Sequence, residues 1–152
     1  MPSHLAPFDD EILGRMAWNS ESCDWRANLQ LPSGTLFFCH VIPADSRLPL
    51  HDQGIERVRE PMRWLLMNEP KLREKIANAV FDWWYETWFD AEIDTVTTKI
   101  EFASTISLAG VDVYEDLEFQ IHYNDGDMIG GHGILLTIDS RGEITKGPNI
   151  WG

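Results

Sequence analysis

Basic side chains are scarce in this sequence. Lysine and arginine number 12 against 25 aspartates and glutamates, a formal net charge of −13 at pH 7. A field of that sign repels phosphate backbones and argues against nucleic acid as a partner, while it speeds encounter with a basic protein. Cysteine is scarcer still, with Cys23 and Cys39 alone. They form no CxxC pair, so a zinc site built on cysteine is not indicated. Spacing does not decide whether the two are paired. The opening MPSHLAPFDDEIL lacks the basic and apolar regions of a secretory signal. No apolar run approaches the roughly 18 residues needed to cross a bilayer. These absences lead to the expectation of a reduced, cytoplasmic protein, not membrane-bound, with both cysteines as small core residues. Neither G-x-S-x-G nor H-E-x-x-H occurs, which removes the motif-borne hydrolase classes.

Tryptophan, by contrast, is abundant, with seven in 152 residues. So much indole implies a large buried aromatic area or an aromatic surface for a partner. Apolar patterning supplies the elements. Arg15 to Asn19, Trp25 to Leu31 and Thr35 to Ile42 read as a three-stranded meander, its last strand apolar on both faces. Pro43 to Leu50 is a linker. Residues 52 to 67 carry a helical stripe that Pro61 should kink. Asn68-Glu69-Pro70 reads as a fresh helix start, running to about Phe89. Thr98 and Glu101 fit a capping box for a short third helix. Ile106 to Tyr114 returns to strand, with Gly110 marking a bulge.

The stretch from Leu117 to Gly152 has the most explicit turn chemistry. Phe119, Ile121 and Tyr123 alternate with Gln120 and His122, the period-2 signature of a half-buried strand. Asn124-Asp125-Gly126-Asp127 and Asp139-Ser140-Arg141-Gly142 are turns flanking a strand from His132 to Ile138. Glu143 to Lys146 is a short strand that Pro148 should end. Ile150-Trp151-Gly152 suggests a docked tail. The order strands, helices, strands predicts one α+β domain over residues 1–152. Its antiparallel sheet combines an N-terminal meander with C-terminal hairpins, covered by two or three helices inserted in the middle of the chain.

The run Tyr123-x-Asp125-Gly126-Asp127, Gly131-His132-x-Ile134, Asp139-x-x-Gly142 and Ile150-x-Gly152 resembles a family of uncharacterised bacterial domains of unknown function. Leu13-Gly14, Trp18, Trp25 and Glu101-Phe102 extend the resemblance over nearly the whole chain. Ile129-Gly130 departs from it, since an aromatic residue is usual there. Members of such families resemble immunity or accessory proteins of bacterial toxin systems. The resemblance therefore implies a role in binding and assigns no catalytic residue.

Two groups of side chains are candidate sites. One comprises Trp84 and Trp88 with the carboxylates Asp82, Glu86 and Asp90, followed by Glu92 and Asp94. An exposed indole among acids would anchor a basic partner. Trp83 and Trp84 point about 100° apart on a helix, so the two cannot both face the core squarely. The other is the loop of Asp125, Asp127 and His132. There turn-forming aspartates bond backbone N–H groups, and with His122 the loop also offers the donors of a divalent-metal site. A catalytic cysteine would need Cys23 or Cys39 beside His40, His51, His122 or His132, and Cys39 lies in an apolar strand that disfavours a thiolate. The expectation is thus a non-enzymatic domain without cofactor that binds and neutralises a basic partner such as a toxin. A small metal-dependent enzyme or metal-binding domain using His122, Asp125, Asp127 and His132 is one alternative. A structural accessory module is the other.

Overall fold

Alternation of buried and exposed positions is clearest in one strand of this chain. Asp24–Gln30 buries Trp25, Ala27 and Leu29 and exposes Arg26, Asn28 and Gln30, as a pleated strand with one covered face must. The computed structural model describes residues 3–116 and 118–151, Trp151 by its backbone alone. Eight strands form a sheet in sequential order: β1 (Phe8–Asp10), β2 (Gly14–Asn19), β3 (Asp24–Gln30), β4 (Leu36–Val41), β5 (Ser107–Val113), β6 (Phe119–Asn124), β7 (Gly133–Ile138) and β8 (Ile144–Trp151). Two α-helices, α1 (Glu56–Thr87) and α2 (Lys99–Thr105), preceded by a short 3-10 helix at Leu50–Gln53, lie between β4 and β5 in the described chain. The class is α+β.

The expected antiparallel sheet needs one correction. β4 and β5 pair in parallel, Phe38 opposite Gly110 and Val41 opposite Val113, whereas the other neighbours are antiparallel. The reason is the connection. A hairpin reverses direction within a few residues, but the helices between these strands return the chain to the starting end of β4. The lead-in at Phe8–Asp10 is a strand of its own. It is held at its turn by Asp10, whose Oδ1 accepts from the N–H groups of Ile12 and Leu13 at 2.9 Å each.

The expected break at Pro61 does not occur. Pro61 lies in the second turn of α1, where the missing N–H forfeits one intrahelical bond, and the only non-helical residue inside the element is Asn68 (φ −133°, ψ 16°). Pro70 cannot donate to the carbonyl of Leu66, and the Asn68 amide bonds the Trp64 carbonyl at 3.0 Å. The kink therefore falls where Asn68-Glu69-Pro70 marked a new helix, and the two expected helices are two limbs of one element. The capping box forms as read, with Thr98 Oγ1 accepting from Glu101 N–H at 3.2 Å. Gly110 sits at a register shift in β5. Pro148 does not end β8, which continues to Trp151 with its own register shifts. As an edge strand it tolerates a residue without a donor. Ile150 packs on the core. The side chain of Trp151 and all of Gly152 and Leu117 lie outside the described residues.

One face of the sheet receives α1. Val58, Met62, Leu65, Leu72, Ile76 and Trp84 are buried at helical spacing against Cys39, Val111, Ile121 and Tyr123 from alternate strand positions. A polar clamp is built into this core. Buried Glu69 accepts from Tyr123 Oη at 3.0 Å and from Arg73 Nε at 3.0 Å, and Arg73 Nη1 reaches the Ala103 carbonyl at 3.2 Å. Burial first, then the negative charge of Glu69, holds the Tyr123 phenol well above its ordinary range. At the far end Arg59 Nε bonds Asp10 Oδ2 at 2.8 Å. Cys39 is buried and Cys23 is exposed in a turn at φ 56°, both as free thiols. The expectation of two core cysteines thus holds only for Cys39.

Candidate functional site

The second face of the sheet is not covered by α1. Strand alternation brings a row of polar side chains onto it: Arg26 stands opposite His40, His40 opposite Asp112, and His122 opposite Gly110. Asp112 stands between two imidazoles. Its Oδ1 lies 3.3 Å from His40 Nδ1 and its Oδ2 lies 2.6 Å from His122 Nε2. The three side chains are only 25%, 18% and 18% exposed, enough shielding for these contacts to fix ring orientation more firmly than surface ion pairs do. Phe38 stacks on His40 with ring centroids 4.4 Å apart. Its ring lies across Gly110, where a Cβ would come within 2.3 Å of ring carbons. Only glycine allows that approach. Behind this row the Cys39 thiol is pushed up to about 12, by burial first and then by the charge of Asp112. It is no nucleophile at neutral pH.

The four residues considered as metal donors do not converge. His122 faces Asp112 on the open sheet face, whereas His132 stands edge-on to Trp88 at the end of α1, 5.9 Å between ring centroids. Buried Asp125 is committed to backbone: Oδ1 accepts from Asp127 N–H at 3.0 Å, and Oδ2 accepts from Ile129 and Gly131 N–H at 2.8 and 3.1 Å. Asp127 is exposed at φ 65° and makes the turn. Among the described residues no group of three or more His, Cys, Asp or Glu side chains could hold a metal ion.

At the end of α1 the expected surface is partly rearranged. Trp84 is wholly buried, and its indole N–H donates to the Met128 carbonyl at 2.8 Å. It carries structure rather than recognition, because its neighbours Phe81, Phe89 and Phe102 close around it. The outward indoles are Trp83 and Trp88, 43% and 39% exposed. Asp82, Glu86 and Asp90 are exposed beside them in sequence. The structure therefore brings Trp88 and His132 together, leaves the three carboxylates in solvent, and substitutes Trp83 for Trp84.

Sequence reasoning missed Asp112 altogether and did not pair His40 with His122. The signal was present: each is a lone polar residue between buried apolar ones, His40 between Cys39 and Val41, Asp112 between Val111 and Val113, His122 between Ile121 and Tyr123.

The model of the family described as an uncharacterized protein conserved in bacteria (DUF2262) matches residues 10–147. No curated protein matches, and no solved structure matches.

Proposed function

The chain belongs to that bacterial family, and we propose that it serves as a non-enzymatic recognition domain that binds a basic protein through the C-terminal end of α1. One observation carries the reading. Between Ile76 and Thr98 the chain has no lysine, arginine or histidine, and within that span Trp83 and Trp88 turn outward beside Asp82, Glu86 and Asp90. Indole anchors within a rim of one charge suit a partner of opposite charge. The His132 ring packs edge-on against Trp88. In its narrower form the partner is a toxin that the domain neutralises by covering it, with acidic side chains steering the encounter.

Affinity capture from the native host tests the reading, with wild-type protein beside a Trp83→Ala/Trp88→Ala double variant. Wild type retains a basic protein that releases at high salt, and the double variant loses at least about tenfold of that binding. An identical set of captured proteins on both columns would sink it. Co-expression tests the narrower form: the captured protein, produced alone, arrests growth, and this domain relieves the arrest.

A further inference from the structure

The open sheet face carries a groove of about 510 Å³ bordered by Arg15, Arg26, Asn28, Phe38 and His40. That volume falls in the range of small-molecule sites. Its lining contains two guanidiniums and no carboxylate, in a chain whose acids outnumber its bases 25 to 12. The donors are also held in place. Arg26 Nε bonds Asp24 Oδ1 at 2.9 Å and Nη2 bonds Ser22 Oγ at 2.8 Å, which fixes the guanidinium plane and leaves Nη1 for a ligand. Arg15 Nη1 also contacts Asp9 at 3.2 Å, in a pair that stays largely in solvent. Asp112 engages His40 through Nδ1, which leaves the Nε2 edge of the ring for a ligand. The geometry points to a binding site for a small oxyanion-bearing molecule, a carboxylate or a phosphate monoester. The Arg26 and Arg15 guanidiniums take its oxygens, and the Phe38 and His40 rings border the rest of it. A guanidinium fixed in this way offers a single charge-assisted donor, Nη1, to one oxygen of an oxyanion. Asp112 is a positioning residue for His40, and Gly110 positions Phe38.

The test is an NMR titration of the full chain with phenyl phosphate, benzoate and inorganic phosphate, following the His40 ring and the Arg26 side chain. Saturable shifts are expected below about 10 mM, and the stronger of phenyl phosphate and benzoate identifies the head group. Arg26→Ala weakens binding about tenfold or more, as loss of a charged hydrogen bond does. Because Asp24 is buried beside Arg26, Arg15→Ala provides a second test on a largely exposed side chain and also weakens binding. Trp83→Ala/Trp88→Ala leaves the titration unchanged, so loss of the protein partner and loss of this ligand are told apart. No saturation with any probe, or wild-type affinity in both arginine variants, would overturn the proposal. So would zinc chloride shifting the His40 and His122 rings together, which would make the cluster a metal site.

Discussion

The two faces of the sheet are built from the same three strands and differ in almost everything else. On β4, β5 and β6, Cys39, Val111 and Ile121 point into the helix-covered core, while His40, Asp112 and His122, one residue along, meet on the open side. The covered face is apolar except where each polar group has a committed partner, as Glu69 has in Tyr123 and Arg73. The open face holds a carboxylate between two imidazoles beside a groove bordered by two arginines. Burial thus assigns cohesion to one set of positions and chemistry to the other, and a pleat of period 2 keeps them apart without any separate element.

Thiol chemistry gives the largest expected contrast between covered and exposed positions. With its pKa at about 12, Cys39 presents on the order of a thousandfold less thiolate than an ordinary cysteine, besides being sterically shielded. A maleimide at pH 7 should therefore label Cys23 alone in the native protein and both in urea, as counted by mass spectrometry. Rapid native labelling of Cys39 would mean that the covered face opens. Next comes the pair of tryptophans four residues apart. Trp84→Ala should cost about 3–5 kcal/mol in urea unfolding, through a cavity and an orphaned Met128 carbonyl, whereas Trp88→Ala should cost less than about 1 kcal/mol. Equal costs would erase the distinction between core and surface at the end of α1.

The smallest effect concerns Asp10, whose side chain is 3% exposed beside Arg59. Burial alone would raise its pKa, but the Arg59 hydrogen bonds and two backbone N–H groups outweigh that and hold it below the ordinary carboxylate value. A depressed folded-state pKa contributes stability fully above the unfolded value of about 3.9 and loses it as pH falls through the folded value. Asp10→Asn should cost about 1–3 kcal/mol at pH 7. It should also flatten the fall in stability below about pH 4, read from urea midpoints across pH. An unchanged acid limb would show that this carboxylate gains nothing from folding.

Local chemistry was legible in the sequence wherever it is written in neighbouring residues. The Thr98–Glu101 capping box and the Asp125 turn depend on contacts within a few positions, and the alternation of Trp25 to Leu31 and the glycine at the Gly110 bulge are visible in residue type alone. The parallel pairing of β4 with β5 was not legible, because it depends on where a 32-residue helix returns the chain. The His40–Asp112–His122 row was hidden for the same reason, since it exists only once that pairing sets the register. At Trp83 and Trp84 the helical angle was clear, but which indole faced inward depended on Met128 and Phe102. In the Asp125 loop one carboxylate takes three backbone N–H groups while Asp127 stays exposed, a division that two neighbouring aspartates in the sequence do not reveal.

The parallel seam between β4 and β5 has a consequence for how the chain assembles. Each half, β1–β4 and β5–β8, is a run of successive hairpin-like pairings that can zip locally, whereas residues 38–41 meet 110–113 only after a long loop closes. Loop-closure entropy concentrates the search at that single join. A nick in the exposed turn at residues 90–94 would leave two fragments whose reassociation has to rebuild this seam, and the helix crossing it would serve as the splint.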